Sequence, residues 1–348
     1  MNTIVEDVRD YYANVLKTKN DLKTSACCPA ESPPAHVQAL LKNVHSVIQQ
    51  KSYGCGSPLP LAVRGCHVLD LGCGTGRDAY ILSQLVGPEG QVTGLDMTDE
   101  QLSVANQYLG WHMDRFGYNT PNVRFLKGYT EDLKTANIAD SSVDIVISNC
   151  VINLSPDKDA VFREIYRVLK PGGELYFADV FAGRRIPHEL QQDKILRGEC
   201  LGGAMYIEDF RRLLQSIGLP DYRVLSHQPL KLDDPNIQAK AGTIDFYSMT
   251  VRAFKVDLED LCENYGHVAY YNGTIAEAPH EFMLDDHHLF KKGMPVPICG
   301  NTANMLCCTR LSKYFRIEGD FSTHYGPFDC GPASRLNAKG VPVSGACC

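Results

Sequence analysis

Apolar side chains in the first 50 residues recur every three to four positions, a spacing that predicts amphipathic helices. One predicted helix follows Val5, Val8, Tyr12, Val15 and Leu16. A second follows Val37, Leu40, Leu41, Val44, Val47 and Ile48. The proline-rich link between them contains Cys27 and Cys28. We therefore expect a helical segment over residues 1–60 that also carries cysteines.

From about residue 66 the pattern changes to short apolar runs that alternate with helical stretches. The runs predict strands at residues 67–71, 91–96, 123–127, 143–148 and 174–180. Helices are predicted at 77–85, 98–116 and 157–169, with Thr98 and Gln101 as a capping box. Ser155 is predicted as an N-cap followed by a first-turn proline. This alternation is typical of an α/β fold, a doubly wound Rossmann-like sheet over residues 61–220.

After residue 218 the alternation stops. Strands are predicted at 222–226 and 246–255, and the strand at 267–271 precedes Asn272-Gly273, a hairpin signal. Residues 302–311 have a helical pattern. These elements predict a smaller α+β domain over 221–327, followed by a flexible, cysteine-rich tail over 328–348.

Charge and composition limit the functions that this chain can have. Its formal net charge is −7, which argues against a nucleic-acid binder. The absence of a long apolar run or signal-peptide pattern leads us to expect a cytoplasmic protein without membrane association, and a monomer. Among its 14 cysteines no pair has C-x-x-C spacing, so a zinc ribbon or redox motif is not expected. We expect most of these cysteines to be free thiols.

A glycine-rich turn follows the first predicted strand, at Gly72, Gly74 and Gly76, and opens the next helix. Glycines let the backbone approach a ligand closely, and a helix N-terminus offers unpaired N–H groups. Asp96 follows about twenty residues later, where an acid can bind ribose hydroxyls. NAD and S-adenosylmethionine both remain possible, although the dinucleotide G-x-G-x-x-G spacing is absent. Asp70, two positions before the turn, suits a cationic ligand.

Cys150 ends the fourth predicted strand, and ligands of doubly wound sheets lie at the carboxyl ends of the strands. A thiol is a poor general base but a good soft ligand. Cys200 precedes the paired glycines 202 and 203, and Cys55 stands between two glycines. Each could be a small buried packing residue. Together they suggest a soft trivalent acceptor held by sulfur.

The glycine turn, Asp96 and residues 168–175 resemble class I S-adenosylmethionine-dependent methyltransferases. The resemblance to the arsenite methyltransferase family extends over nearly the whole chain. Matching stretches are residues 21–27, 43–45, 53–56, 82–87, 148–154 and 198–204. The runs that contain Cys150 and Cys200 are especially specific.

This resemblance implies that Cys150, Cys200 and Cys55 bind trivalent arsenic and that Cys27 or Cys28 is an additional redox cysteine, with Cys27 favoured. With Asp70 and Gly76 added from the turn itself, the cofactor residues are Tyr53, Asp70, Gly72, Gly74, Gly76, Arg77, Asp96, Met97, Thr130, Glu131 and Asn149. Cys73 replaces a serine of many relatives and is interpreted as a packing residue. The expected reaction methylates arsenite and methylarsenite, and a Cys27–Cys55 disulfide formed during turnover is reduced by thioredoxin or glutathione.

Two other functions remain as alternatives. A carbon methyltransferase of the quinone or sterol type shares the cofactor motifs, and a thiol-based metalloid sensor could bind arsenic without turnover. Some residues are interpreted as structural: Cys66 and Cys262 in the core, Cys307 and Cys308 in helix packing, Cys330, Cys347 and Cys348 in the tail, and His287-His288 in a solvated turn.

Overall fold

The computed structural model of the chain describes residues 33–52, 56 and 58–329. Several sequence predictions lie outside these residues: the first helix, Cys27, Cys28, Tyr53, Cys55, and the tail from Cys330 onward. Within the described part of the chain, no helix is long and apolar enough to cross a membrane.

An eight-stranded sheet forms the centre of the fold, in the order β3-β2-β1-β4-β5-β8-β7, with β6 beside β5. Its strands are β1 (His67–Leu71), β2 (Gln91–Asp96), β3 (Val123–Lys127), β4 (Val143–Asn149), β5 (Leu169–Ala182), β6 (Met205–Tyr206), β7 (Tyr222–Pro229) and β8 (Phe246–Phe254). Strands β1 to β6 pair in parallel, which confirms the predicted α/β class. Apolar clusters cover both faces, as a buried parallel sheet requires.

Eleven α-helices pack around the sheets in the described residues. They are α1 (Ala35–Leu41), α2 (Ser46–Gln50), α3 (Arg77–Val86), α4 (Asp99–Gln107), α5 (Leu109–Phe116), α6 (Lys158–Val168), α7 (His188–Gln191), α8 (Lys194–Gly198), α9 (Ile207–Ser216), α10 (Pro235–Ala241) and α11 (Gly300–Cys307). The predicted helices at 37–48 and 98–116 are each two helices, with α4 and α5 separated at Tyr108.

Two predicted caps are wrong. The Thr98 side chain makes no capping bond to the described residues; instead its backbone N–H donates to the Asp96 carboxylate. Helix α6 begins after Asp157, whose carboxylate accepts from the N–H of Ala160. Ser155 lies before this cap and accepts from the N–H of Asp157.

The strands after residue 220 differ from the sequence prediction in their location. Strand β8 pairs antiparallel with β5, from Glu174 opposite Phe254 to Ala182 opposite Phe246, and β7 then pairs with β8. Both strands therefore complete the central sheet and do not belong to a separate smaller unit. Their apolar pattern predicts a strand but carries no information about which sheet edge the strand joins.

The remaining strands form two small antiparallel sheets. Strands β9 (His267–Tyr271), β12 (Pro295–Ile298) and β13 (Phe315–Glu318) are ordered β12-β9-β13, and β10 (Glu281–Met283) pairs with β11 (Leu289–Lys291). The hairpin predicted at Asn272-Gly273 is therefore wrong, since β9 pairs with strands later in the chain. Glu174 of β5 accepts from Arg252 and forms an ion pair with Arg310, which joins the central sheet to the C-terminal region.

His288 is buried beside Asp285, so the predicted solvated turn is wrong. The Asp285 carboxylate accepts from the backbone N–H groups of His287 and His288 and from the Arg223 guanidinium, 3.3 Å away. Burial alone would raise the pKa of Asp285. The hydrogen bond from His288 and the charge of Arg223 outweigh burial and hold that pKa well below its usual range.

We expect Asp285→Asn to lower the free energy of unfolding by about 1.5–3 kcal/mol at neutral pH, because it weakens charge-assisted hydrogen bonds to His288 and Arg223, although Asp221 still pairs with Arg223. A depressed carboxylate pKa stabilises the fold above the unfolded pKa, and this contribution disappears as the pH falls through the folded pKa. The difference between wild type and variant should therefore shrink below the ordinary aspartate pKa of 3.8. Urea unfolding at several pH values measures it.

Asp286→Asn is the matched control, because this neighbouring carboxylate is more exposed than Asp285. It should change stability by about 1 kcal/mol or less. Equal losses for the two variants would contradict the assignment of Asp285 as the centre of the cluster.

Candidate active site

In the loop after β1, the backbone at Gly72 and Gly76 lies so close to neighbouring side chains that a Cβ atom would not fit. Gly72, Gly74 and Gly76 have φ angles of +71°, +53° and +87°, a region that favours glycine. A Cβ on Gly72 would lie 2.3 Å from Cγ2 of Val151, and one on Gly76 would lie 2.7 Å from the Phe125 ring. The loop therefore requires glycine at both positions, and its backbone remains open to a ligand.

Asp96, at the end of β2, fixes the shape of this loop. One carboxylate oxygen accepts from the N–H of Gly74 at 2.9 Å and the other from the N–H of Thr98 at 2.8 Å. Burial raises the pKa of Asp96, although these N–H donors oppose the shift. Each oxygen keeps a lone pair for a ligand hydroxyl.

A cavity opens at the carboxyl ends of β1, β2 and β4. The sequence-predicted residues that line it are Gly72, Gly74, Asp96, Met97, Thr130, Glu131, Asn149 and Cys150. Asp70, Gly76, Arg77 and Cys200 are outside this lining. The cavity lies where doubly wound sheets bind ligands.

Sequence reasoning missed several residues of this cavity, among them Lys51, Ser52, Thr98, Gln101, Val151, Leu154 and Ser155. The Oε1 atom of Gln101 is buried and has no hydrogen-bond partner among the described residues. The sequence pattern predicts a capping role for Gln101, but its position about one turn after Asp96 also indicates a ligand contact. Ser155 donates to the Glu131 carboxylate, which fixes a second acid at the cavity wall.

Asp70 lies buried in β1, and its Oδ2 atom has no hydrogen-bond partner in the described part of the chain. Burial raises its pKa well above the ordinary value, and the charges of Asp78 and Asp96 raise it further. A cation bound nearby would reverse this shift, because an opposite charge stabilises the carboxylate. The site is therefore suited to a positively charged ligand group.

Asn149, at the end of β4, hydrogen-bonds two other segments, one at Gly56 and one at Asp78 of α3. Its Oδ1 accepts from the N–H of Gly56 at 3.2 Å, and its Nδ2 donates to the Gly56 carbonyl at 3.1 Å. The same Nδ2 donates to Asp78, which also forms a 3.1 Å ion pair with Arg77. The sequence analysis did not identify Asp78 as a site residue, although an acid in the first helical turn after a glycine loop can indicate one. Gly56, which follows Cys55, is thus hydrogen-bonded to Asn149, which precedes Cys150.

Cys150 and Cys200 come together at the edge of the cavity. The Cys200 thiol donates to the Cys150 carbonyl at 3.4 Å, and both residues are buried. Their φ angles are +58° and +61°, and a left-handed conformation is uncommon for residues other than glycine. Such conformations cost about 1–3 kcal/mol each and occur mainly at functional sites.

Cys150 is disulfide-bonded in the structure, whereas the family resemblance implies a thiol that binds arsenic. The arsenic-binding role of Cys150 stays a prediction. A disulfide sulfur is not a thiolate ligand, so ligand binding at Cys150 requires prior reduction. The sequence gives no signal for this bond because the two cysteines of a disulfide need not be close in the chain.

The segment that carries Cys200 packs tightly against the turn after Cys150. A Cβ on Gly203 would lie 1.9 Å from the Asn153 carbonyl oxygen, so only glycine allows this approach. Asn153 in turn donates to Asp179, whose pKa burial raises to about 7. Lys158 is near enough for its charge to interact with Asp179 and Cys200, and burial lowers its pKa.

Cys73 lines the cavity and also contacts the sheet, since a Cβ on Gly94 would lie 2.8 Å from its sulfur. Burial raises the pKa of the Cys73 thiol well above its ordinary value, and Asp96 and Asp70 raise it further. The side chain is therefore a neutral thiol, which agrees with the predicted packing role.

Comparison with known proteins adds information about the whole chain. A methyltransferase domain family matches residues 62–218, and an arsenite methyltransferase C-terminal domain family matches residues 265–339. The chain is 51% identical to the arsenite methyltransferase of Aquipseudomonas alcaligenes over 99% of both sequences. It is 44% identical to that of Mus musculus, over 90% of this chain and 83% of the relative.

A solved structure is also similar. The crystal structure of an arsenic(III) S-adenosylmethionine methyltransferase from Chlamydomonas reinhardtii superposes with a TM-score of 0.83 at 47% identity. The match covers 86% of this chain and 100% of that one.

We expect Gly72→Ala to weaken S-adenosylmethionine binding roughly 10- to 100-fold, because backbone strain and the contact with Val151 displace the loop. Gly110→Ala is the matched control, since Gly110 has open space around its Cβ position. Calorimetric titration of both variants gives the dissociation constants. Unchanged affinity in the Gly72 variant would show that this loop does not contact the cofactor.

Proposed function

We propose, since the chain belongs to the arsenite methyltransferase family, that it transfers methyl groups from S-adenosylmethionine to arsenite and methylarsenite bound by cysteine sulfur. The observation that carries the proposal is the meeting of Cys150 and Cys200 at the edge of the cofactor cavity, both in strained backbone conformations. The expected products are methylated arsenicals, and the biological role is detoxification.

The residues around the cavity fit S-adenosylmethionine. Asp96 can accept from the ribose hydroxyls, and the unpartnered Asp70 oxygen suits a cationic ligand with an amino-acid moiety. The glycine loop lets its backbone approach the cofactor. When bound, S-adenosylmethionine supplies an electrophilic methyl group on a sulfonium. Acids on several sides of the cavity favour binding of that positive charge.

Cysteine thiolates are the ligands that a soft trivalent metalloid prefers. Cys200 and reduced Cys150 supply two of them, and we assign the third to Cys55. The bonds between Asn149 and Gly56 support this assignment, because Gly56 follows Cys55 in the chain.

The cysteines position the acceptor, and a general base is not needed. Trivalent arsenic bound by three sulfurs keeps a lone pair that carries no proton, so the protein has only to orient it toward the methyl group. Orientation of two reactants can contribute roughly 7–11 kcal/mol to a rate enhancement. The strained backbone at Cys150 and Cys200 is consistent with sulfur atoms held in one fixed arrangement.

Formation of a carbon–arsenic bond formally oxidises arsenic from +3 to +5, so a further methylation needs two electrons. Two cysteine thiols can supply them by forming a disulfide, which thioredoxin or glutathione then reduces by thiol exchange. We retain Cys27 and Cys55 as the pair that forms this disulfide.

The two alternative functions, a carbon methyltransferase and a thiol-based metalloid sensor, each leave one feature of the site without a role. A carbon methyltransferase gives no role to the strained conformations of Cys150 and Cys200. A sensor would bind arsenic but would not need the cofactor cavity beside it.

Incubation with methyl-labelled S-adenosylmethionine, arsenite and a thiol tests the activity. We expect methylated arsenic and S-adenosylhomocysteine in amounts that grow with time. Arsenite binding without labelled product would support a sensor and contradict the proposed enzyme.

Individual cysteine variants test the roles. Cys150→Ser and Cys200→Ser should each lower methylation of arsenite and of methylarsenite about 100-fold or more, because misplaced reactants lose orientation. Cys27→Ser should impair arsenite more than methylarsenite, which needs fewer sulfur ligands. Cys307→Ser, an exposed cysteine far from the cavity, is the control and should keep full activity. Normal turnover by the Cys150 variant would refute the ligand set.

A further inference from the structure

Two consecutive cysteines, Cys307 and Cys308, lie at the end of α11 with both side chains exposed. Their sulfur atoms are 3.0 Å apart, and both are thiols. The N–H of Cys308 donates to the Asn304 carbonyl, which fixes the second cysteine as the helix cap. The predicted role of this pair in helix packing is therefore wrong, because both residues are exposed at the surface, with the Cys307 thiol partly covered by Asn304 of the same helix.

This thiol pair is separate from the candidate active site. A Cβ on Gly172, near the start of β5, would lie 2.7 Å from the Cys308 carbonyl oxygen. The Ala178 carbonyl, further along the same strand, accepts from the N–H of Cys150. Six residues of strand separate these two positions, a distance of roughly 20 Å. The pair therefore lies toward the opposite end of the sheet from the cofactor cavity.

We propose that Cys307 and Cys308 form a second binding site, for trivalent organoarsenicals that carry one organic group and two exchangeable hydroxyls. The two thiols condense with the two arsenic hydroxyls, so that two As–S bonds form, two As–O bonds break and two waters leave with the thiol protons. Arsenic stays trivalent and no oxidant is consumed. The product is a cyclic dithiolate in which both sulfurs come from the same helix end.

The surroundings offer apolar surface to a substituent on arsenic. Cys308 borders a surface hollow whose wall includes Leu258 and Phe321 beside polar residues, among them Asp257, Glu259 and Asn304. The Phe321 ring is 49% exposed, so it offers apolar surface that a ligand could cover. A methyl or aryl group on arsenic can lie against this wall, whereas arsenite has no such group.

The protonation state of the pair agrees with this chemistry. Burial, together with the hydrogen bond from the Cys308 thiol, raises the pKa of Cys307 to about 12. Cys307 is therefore protonated at neutral pH and is a poor nucleophile for thiol exchange. Condensation with arsenic hydroxyls releases water and does not depend on a stable thiolate at Cys307.

Intact-protein mass spectrometry with phenylarsine oxide as the probe tests this site on the full chain, reduced with a phosphine that is then removed. We expect wild type to bind one phenylarsenic group more than Cys307→Ser or Cys308→Ser at the same probe concentration. The double variant should bind as many phenylarsenic groups as either single variant, because a chelate needs both sulfurs and is already lost when one is removed. The probe concentration required at this site should rise on the order of 100-fold in each single variant.

Ser312→Ala, a change near the pair that keeps both thiols, is the matched control and should bind as many groups as wild type. A dimethylated trivalent arsenical has one exchangeable position and cannot bridge two sulfurs, so the probe concentration required at Cys308 should be the same in wild type and in Cys307→Ser. Equal phenylarsenic counts in wild type and both single variants would overturn the proposal. The measurement needs no S-adenosylmethionine, so its outcome is independent of methyl transfer.

Discussion

The hydrogen bonds at the end of β4 determine where every group of the active site lies. Cys150 donates its N–H to β5 at Ala178, and Asn149 binds both polar groups of Gly56 as well as Asp78 of α3. Three segments distant in sequence are thereby held at one strand end. Cys150, the next residue after Asn149, has a left-handed backbone conformation. Its carbonyl accepts a hydrogen bond from the Cys200 thiol.

The second constraint is electrostatic. The charges of Asp78 and Asp96 act on Asp70, and burial adds to the energetic cost of ionising Asp70 and Asp96. Backbone N–H groups relieve this cost at Asp96, and Asp78 forms an ion pair with Arg77. At Asp70 one oxygen has no partner among the described residues. A cationic methyl donor would supply the missing positive charge, which links the fold of the loop to the choice of cofactor.

The C-terminal region is joined to this centre by buried ion pairs. Glu174 of β5 binds Arg252 of the neighbouring strand and Arg310, just beyond α11. The carboxylate is fully buried, so removal of one arginine would leave charge unpaired in the interior. The same contacts place Cys307 and Cys308 near the start of β5. Methyl transfer and organoarsenical capture would therefore occur at different ends of one sheet.

Local sequence was sufficient for much of the architecture. The strands at 67–71, 91–96 and 123–127 have the predicted bounds. The first two are buried and mainly apolar, and the third is an edge strand whose apolar residues alternate with Arg124 and Lys127. The glycine loop could also be predicted from the sequence, since steric contacts at Gly72 and Gly76 restrict those positions to glycine. Asp96 could be predicted from its position at the end of the second strand. Most of the predicted cofactor residues line one cavity for the same reason: carboxyl ends of parallel strands share one edge.

Other features depend on contacts between distant segments, and no local pattern encodes these. Helix caps near Asp96 and Asp157 were assigned to the wrong side chains, because several adjacent groups can accept the same N–H. The placement of β7 and β8 in the central sheet, the burial of His288 by Asp285, and the meeting of Cys150 with Cys200 all required the tertiary structure. Sequence determined which residues can carry the chemistry. Only the folded chain decided which of them share a site, because burial and proximity are properties of the packed whole.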